Sequence, residues 1–207
     1  PWGAHMTRSP HRAWLVDLDG TLYRLLPVQI AMGFTLLARA PHRWAALRTF
    51  RRHHERLRLE EPTGPTSPWR LQLERAAAEL RTSSPKLEAC VREWMLHRPA
   101  PFLRLARRSS LLAEIAAFRA HGGRTALVSD YPARAKLEAL GALCLFDEIV
   151  ANGEPGGPTR IKPAPDGYLL AASRLGIAAA DCLVMGDRVD ADGEAARRAG
   201  MAFRLVH

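Results

Sequence analysis

Two aspartates, Asp17 and Asp19, stand two positions apart at the end of the short, mostly apolar segment 13–18. An extended backbone points such side chains to the same side, and Gly20 permits a sharp turn directly after them. One carboxylate can attack an electrophile while the other transfers a proton. The pair therefore predicts a site for phosphoryl transfer, a reaction that needs both of these functions.

Three polar residues farther along the chain, Ser129, Lys162 and Asp187, could complete such a site. A carboxylate that attacks a phosphate dianion needs a hard cation beside it, and oxygen ligands suit Mg²⁺. Asp187 could supply further ligand oxygens next to Asp17. Ser129 offers a hydroxyl donor to phosphate oxygens, and Lys162 offers a positive charge.

Each of these residues also has an ordinary explanation. A carboxylate or a serine at the end of a strand commonly caps the following helix, and a single lysine usually lies at the surface. The prediction of a site therefore depends on the combination of residues and on the elements that bring them together.

The second half of the sequence alternates between helical and strand patterns. After the first strand (13–18), strands are predicted at 125–129, 148–151, 182–185 and 202–206, and helices at 111–121, 133–140, 166–175 and 193–199. This alternation predicts a Rossmann-like α/β fold with a doubly wound parallel sheet. Ligands of such sheets bind at the carboxyl ends of the strands, where the candidate residues lie.

The segment between the first two strands has helical periodicity instead. Apolar residues recur at helical spacing from Pro27 onward, segment 61–68 has the composition of a loop, and further helices are predicted at 69–80 and 85–96. Pro99 and Pro101 are expected to close the segment. We therefore predict a catalytic core of residues 7–24 and 109–207, an all-helical insertion of residues 25–108, and an expression-tag remnant at residues 1–6.

Charge, cysteine content and hydropathy restrict the possible partners and the cellular compartment of the protein. Residues 24–108 hold 17 Lys and Arg against 7 Asp and Glu, whereas the rest of the chain holds 13 against 14. Such an excess of positive charge can attract anionic substrates or nucleic acid. Alternatively, the basic residues lie on solvated helix faces, and their number reflects genome composition. The isolated Cys90, Cys144 and Cys182 suggest buried thiols in a reducing cytoplasm, without disulfides. No apolar segment approaches the roughly 20 residues of a membrane span.

Four motifs occur in order, each after a predicted strand: DLDGTLY, VSD, IKPAPDGY and MGDRVDAD. Together they resemble the haloacid dehalogenase (HAD) superfamily of phosphohydrolases. The resemblance covers the chain from Ala13 to its end, except for the helical insertion. It implies the predicted Rossmann-like core and a reaction through a transient aspartyl-phosphate.

Carried over residue by residue, the resemblance implies that Asp17 is the nucleophile and that Asp19 is the general acid and later the general base. Lys162 would be the stabilising cation, and Ser129, followed by Asp130, would bind the phosphate. Dehalogenating members lack an acid at the position of Asp19, so its presence favours phosphate chemistry. Asp130 itself is a departure, because relatives often have asparagine or glycine there.

The same resemblance implies a Mg²⁺ site formed by Asp17, the backbone carbonyl of Asp19, and Asp187. Asp192 would lie near the metal, where it would hold metal-bound waters or Lys162. Asp190 is the weaker candidate for that position, because the family places these later acids at variable spacing. The long Gly- and Pro-rich loop 153–161 could loosen the placement of Lys162.

The helical insertion is similar to a cap that covers the active site in this superfamily and selects small-molecule phosphate esters. Its basic residues Arg51, Arg52, His53 and His54 are candidates to contact a second anionic group, or they form a solvated helix face. Its aromatic residues Phe34, Trp44, Phe50 and Trp94 are expected in the core of the insertion, with a pocket for an apolar substrate as the alternative. Tyr23, beside the first motif, is a candidate for substrate contact.

The sequence thus predicts a cytoplasmic, magnesium-dependent phosphomonoesterase that acts on a small-molecule phosphate. The alternatives are a phosphomutase or a diphosphate hydrolase of the same superfamily, and a nucleic-acid-associated protein that uses the Arg-rich insertion.

Overall fold

The computed structural model of the protein describes residues 11–207. The predicted tag remnant at 1–6, together with residues 7–10, lies outside the described residues. The strands are β1 (Ala13–Val16), β2 (Arg124–Ser129), β3 (Glu148–Ala151), β4 (Cys182–Gly186) and β5 (Ala202–Leu205). They form one parallel sheet in the order β3-β2-β1-β4-β5, which confirms the predicted doubly wound α/β fold.

Nine α-helices accompany this sheet in the described part of the chain. They are α1 (Leu25–Arg39), α2 (Trp44–Glu60), α3 (Pro68–Glu79), α4 (Ser84–Val91), α5 (Ala100–Ala106), α6 (Ser109–Ala120), α7 (Arg134–Leu140), α8 (Asp166–Leu175) and α9 (Glu194–Ala199). A 3₁₀ turn (Pro41–Arg43) leads into α2, and π-helical segments extend α4 (Arg92–His97) and precede α9 (Val189–Gly193).

The sheet is buried on both faces, as β1 shows. Trp14 and Val16 pack on one side with residues of α6 and α7, while Ala13 and Leu15 pack on the other with residues of α8 and α9. All four side chains are buried, which explains why the strand is a continuous apolar run rather than an alternating one. This two-sided burial fixes the carboxyl end of β1 deep in the protein.

The helical insertion between β1 and β2 has apolar clusters of its own. Phe50, Trp69 and Val91 belong to the larger of these, which joins α2, α3 and α4. Val28 of α1 and Leu103 of α5 pack instead with the first core cluster. The insertion therefore rests on the sheet domain through its first and last helices.

The segments by which the chain enters and leaves the insertion lie side by side and form one short antiparallel backbone contact. The backbone N–H of Arg24 donates to the carbonyl of Ala106 at 2.9 Å, and that of Arg108 donates to Leu22 at 2.9 Å. Tyr23 and Arg107 face each other in this bridge. The bridge places Tyr23 beside the loop that follows β1.

Three details of the insertion and of the cysteines differ from the predictions. Pro99 and Pro101 do not close the helical segment, because proline is tolerated in a first helical turn and α5 begins there. Phe34 and Trp44 are 71% and 48% exposed rather than buried, since periodicity identifies a helix face but not what covers it. The three cysteines are free, but Cys144 is exposed rather than buried.

Candidate active site

The carboxyl edge of the sheet brings together the residues that follow its three central strands. Asp17 follows β1, Ser129 ends β2, and Asp187 follows β4. Because β1 lies between β2 and β4, these residues meet at one edge. The edge is the place where open parallel sheets bind ligands.

Asp17 is held from two sides. The Lys162 ammonium group donates a hydrogen bond to Oδ1 of Asp17, and the Thr21 hydroxyl donates to Oδ2 at 2.9 Å. Lys162 also donates to Oδ1 of Asp192 at 2.7 Å, and Tyr168 donates to the same oxygen at 2.8 Å. Asp17, Lys162 and Asp192 are all buried, so their charges interact with little screening by water.

Burial and crowding change the protonation of this group. Burial, reinforced by the nearby Asp192, raises the pKa of Asp17 to about 8, although Lys162 opposes the rise. Burial acts to lower the pKa of Lys162, but Asp17 and Asp192 outweigh it and raise that pKa well above its usual value. Lys162 therefore stays charged, and one ammonium group does not fully compensate two carboxylates.

A third carboxylate, from Asp187, completes an acidic group. Oxygens of Asp17, Asp187 and Asp192 all lie within 4.8 Å of one another. Burial and the neighbouring Asp192 raise the pKa of Asp187. When all three carboxylates are ionised, as they would be around a metal ion, the group keeps two formal negative charges beside Lys162. Hard oxygen ligands with this charge fit a divalent cation such as Mg²⁺.

Gly20 is required for this arrangement. Its φ of +94° is in the left-handed region, and a Cβ at this position would overlap the Asp187 carboxylate. Only glycine permits both the backbone conformation and the close approach of Asp187.

The grouped carboxylates differ in one respect from the metal set predicted from the sequence. Asp192 belongs to the group, and it also contacts Lys162 as expected. The Asp19 carboxylate is not part of this group, and the predicted role of the Asp19 backbone carbonyl as a metal ligand stays a prediction. Asp190 is turned away: its side chain is 71% exposed and accepts a hydrogen bond from Arg188 at 3.2 Å.

Asp19 is engaged by residues that the sequence analysis did not assign to it. Lys136 of α7 donates to both carboxylate oxygens, at 2.6 Å and 2.9 Å, and the Tyr23 hydroxyl donates to Oδ1. Burial acts to raise the pKa of Asp19, but the charge and hydrogen bonds of Lys136, aided by Tyr23, lower it below its usual value. Asp19 is therefore an anion at neutral pH in this conformation.

One feature of the sequence could have identified Lys136. Lysine occurs at only three positions, Lys86, Lys136 and Lys162, among 30 basic residues, and all the others are arginine. Two of the three lysines lie in this site. An ammonium group is a compact point charge that fits a small buried space where the planar guanidinium group does not.

Ser129 and Asp130 follow β2 and differ in their surroundings. Ser129 is buried, and its hydroxyl oxygen accepts a hydrogen bond from the backbone N–H of Tyr131 at 3.2 Å. The Asp130 carboxylate accepts hydrogen bonds from Arg58 of α2 at 3.2 Å and from the backbone N–H of Lys162 at 3.1 Å. An ionised carboxylate repels the negative charge of a phosphate. The Asp130 side chain is therefore better suited to hold the insertion against the core than to bind phosphate.

The pKa of Asp130 agrees with this bridging position. Burial acts to raise it, but the His54 ring, whose Nε2 lies 3.7 Å from Oδ2, and the charges of Lys162 and Arg58 lower the pKa of Asp130 well below its usual range. Trp69 of the insertion makes a second tie to the core, where its backbone N–H donates to the Asn152 side chain at 2.9 Å.

A cavity of about 320 Å³ lies over the carboxylates, between the sheet edge and the insertion. Arg51 and His54 line it, whereas Arg52 and His53 bind Glu79 outside it. Arg51 makes no hydrogen bond or ion pair with the residues that the structure describes. Apolar side chains complete the wall on the insertion side: Leu25, Val28, Met32, Trp94 and Met95.

The carboxyl edge of this parallel α/β sheet thus carries clustered carboxylates and a lysine. The model of haloacid dehalogenase-like hydrolases matches residues 11–200, and the chain belongs to this family. A sequence search among curated proteins finds no match.

Solved structures show the same fold at low sequence identity. YfnB from Bacillus subtilis, described as an HAD-hydrolase and bound to magnesium, has a TM-score of 0.65 at 14% identity, over 95% of this chain and 88% of that one. L-2-haloacid dehalogenase from Xanthobacter autotrophicus has a TM-score of 0.63 at 20% identity, over 95% and 77%. A Thermotoga maritima protein described as a β-phosphoglucomutase has a TM-score of 0.56 at 20% identity, over 95% and 86%.

Within residues 11–207, no helix combines the length and the apolar character needed to cross a bilayer.

Proposed function

We propose that the protein is a magnesium-dependent phosphomonoesterase that hydrolyses a small-molecule phosphate ester through an aspartyl-phosphate at Asp17. The observation that supports this proposal most strongly is the environment of Asp17. Its carboxylate lines the cavity, is oriented by Lys162 and Thr21, and lies within 4.8 Å of the carboxylates of Asp187 and Asp192. A fixed nucleophile in a site of this charge suits attack on phosphorus.

Asp17, Asp187 and Asp192 are the residues that would hold Mg²⁺, with the backbone carbonyl of Asp19 as a further ligand. The ion would offset the negative charge that the nucleophile and the phosphate bring together. The Ser129 hydroxyl and the Lys162 ammonium group would bind the remaining phosphate oxygens.

The reaction has two steps. An Asp17 oxygen attacks phosphorus, the bond between phosphorus and the ester oxygen breaks, and Asp19 gives its proton to the leaving alcohol. Water then attacks phosphorus and gives a proton to Asp19, the bond between phosphorus and the Asp17 oxygen breaks, and phosphate leaves with Asp17 restored. Because Lys136 holds Asp19 as an anion in the free protein, the first step requires Asp19 to be protonated as the substrate binds.

Residues 25–108 act in this proposal as the cap. They cover the cavity from the side opposite the sheet, and the backbone bridge at Tyr23 and Arg107 is the place where the chain enters and leaves them. The description of YfnB reports interdomain movement for that protein. Opening of the insertion about the bridge would admit the substrate, and closure would exclude water.

Asp19 also separates this proposal from dehalogenation, because a halide leaves without needing a proton. A phosphomutase is the principal alternative, and the fold shared with the Thermotoga protein is the observation in its favour. A mutase retains its phosphoryl group, so steady release of free phosphate distinguishes the two.

We place the protein in the cytoplasm on its isolated, free cysteines.

The test is phosphate release from p-nitrophenyl phosphate and a panel of metabolite phosphates, with and without Mg²⁺. We expect Mg²⁺-dependent release that falls at least about 10³-fold in Asp17→Asn. Asp190→Asn is the matched control, since it makes the same chemical change at an exposed carboxylate outside the acidic group. Release that survives Asp17→Asn would refute the mechanism, and the absence of release from every substrate would refute the phosphatase.

A further inference from the structure

We propose that the substrate carries an elongated apolar group, and that this group occupies a second cavity next to the active site. This inference rests on the proposed phosphatase function and names the class of ester that the site accepts: the phosphate monoester of an apolar alcohol.

The second cavity, of about 350 Å³, lies between α1, α2 and the π-helical segment Arg92–His97. It shares lining residues with the cavity over Asp17, namely Gln29, Met32, Arg51, Trp94 and Met95. The two spaces therefore meet along one wall. A ligand whose phosphate lies at Asp17 can extend past Met32 and Trp94 into the second cavity.

The chemistry of the second cavity is apolar. Leu36, Trp44 and Leu47 line it in addition to the shared Met32, Trp94 and Met95. Among the described residues that line it, only Arg48 and Arg51 carry charge, and none is acidic. Such a space offers few partners to a sugar hydroxyl group but favours an alkyl or aromatic group.

Two residues at this cavity suggest that it is incomplete without a ligand. Trp44 lines it and yet remains 48% exposed, so a bound apolar group would cover its indole ring. Gly33 on α1 leaves space where other residues would place a side chain: apart from the chain neighbours and the adjacent backbone of its own helix, a Cβ built there has no heavy atom within 4 Å. The partly exposed ring of Trp44 and the absent side chain of Gly33 thus both leave space that a ligand can occupy.

The open space at Gly33 gives a direct test. Gly33→Leu should place its side chain in the second cavity without a clash at Cβ and with improved helix propensity, so the variant should fold. Ala38→Leu is the matched control: it adds the same side chain to an exposed position of α1 that does not line this cavity.

Binding is measured by calorimetry of the intact protein with Mg²⁺ and alkylphosphonates from ethyl to octyl, which cannot be hydrolysed. We expect affinity to rise about threefold for each added methylene until the cavity is filled. Gly33→Leu should bind ethylphosphonate like the intact protein but lose this rise, and Ala38→Leu should keep it. Equal affinity for ethyl- and octylphosphonate, or a rise that persists in Gly33→Leu, would overturn the inference.

Turnover of the corresponding alkyl phosphates separates this inference from the proposed function. Phosphate release that does not depend on chain length would leave the phosphatase standing and refute the apolar-substrate class. If no ester is turned over while phosphonate affinity rises with chain length, the cavity assignment stands and the catalytic proposal fails.

Discussion

Lys136 donates hydrogen bonds to both carboxylate oxygens of Asp19, at 2.6 Å and 2.9 Å, from a helix 117 positions away in the sequence. The contact fixes the orientation of Asp19 and keeps it charged. A general acid must give up a proton, so a partner that favours the anion opposes that role while it supports the later role as base. In the proposed mechanism, Lys136 would thus be a positioning residue that acts on catalysis through Asp19.

The first prediction concerns this lysine. In Lys136→Met, burial is no longer opposed by the ammonium group, so the pKa of Asp19 should rise. The alkaline limit of kcat/KM, where Asp19 loses its proton, should then move upward by about one pH unit or more. The measurement is the pH profile of phosphate release with Mg²⁺ present.

Lys86→Met is the control for this experiment, because Lys86 is exposed on α4 and is the third lysine of the chain. Its profile should match that of the intact protein, and Lys136→Arg should restore part of the original limit. A Lys136→Met profile with an unchanged alkaline limit would show that Lys136 does not act through the protonation of Asp19.

The second prediction concerns Asp187: relative to the intact protein, Asp187→Asn should have a higher Tm without Mg²⁺ and a lower Tm with it. Without metal, ionised Asp187 is unfavourable in the folded protein, as its raised pKa shows, so Asp187→Asn should raise Tm slightly. With millimolar Mg²⁺, the intact protein should gain Tm by ligand binding, and Asp187→Asn should gain much less. Thermal unfolding with EDTA and with Mg²⁺ measures both.

Asp190→Asn should respond to Mg²⁺ as the intact protein does, since its side chain is exposed and pairs with Arg188. An equal Tm gain from Mg²⁺ in Asp187→Asn and in the intact protein would exclude Asp187 from the metal site.

The sheet could be predicted from the sequence because its signals are local. Each strand is a short apolar run, and the polar residues at strand ends reach the same edge through topology alone. Gly20, Asp17 and Asp187 were identifiable in this way. The inserted helices were also recognised by their periodicity, although Phe34 shows that periodicity does not reveal which face is covered.

The contacts that define the site more finely are not local. Lys136 resembles a surface residue in its own helix and becomes recognisable only when α7 packs beside the loop after β1. The arrangement of Arg51 and Arg52 is similar: adjacent in sequence, one lines the cavity and the other binds Glu79. Side chains at neighbouring positions of a helix point about 100° apart. The packing of the helix therefore decides which of the two arginines faces the cavity.

That pair of arginines gives the third prediction. Arg51 lines the cavity without an ion pair among the described residues, so it can bind a second anionic group when a test ester carries one in addition to its phosphate. Arg51→Ala should raise KM about tenfold for such esters and change KM little for esters whose only anionic group is the phosphate. Arg52→Ala, the control, removes an exposed pair with Glu79 and should leave KM unchanged for both. Equal KM effects of the two variants would remove Arg51 from substrate recognition.

The last prediction concerns Asp130, whose anion joins the insertion to the core through Arg58 and the backbone N–H of Lys162. Because its pKa is held below the usual range, the ionised form stabilises the folded protein at neutral pH. Asp130→Asn should therefore lower the free energy of unfolding at pH 7 by on the order of 2 kcal/mol.

The sign of the pH dependence follows from the direction of the pKa shift. The difference in unfolding free energy between the intact protein and Asp130→Asn should be constant above the unfolded pKa of about 4 and shrink as the pH falls toward the folded value. Urea unfolding from pH 7 to pH 3 measures it, with Asp190→Asn as an exposed-carboxylate control. A double-mutant cycle with Arg58→Met should show a coupling energy that is largest at pH 7 and decreases toward pH 3. A difference that grows on acidification would mean that Asp130 is protonated in the folded protein and that the Arg58 contact does not stabilise it.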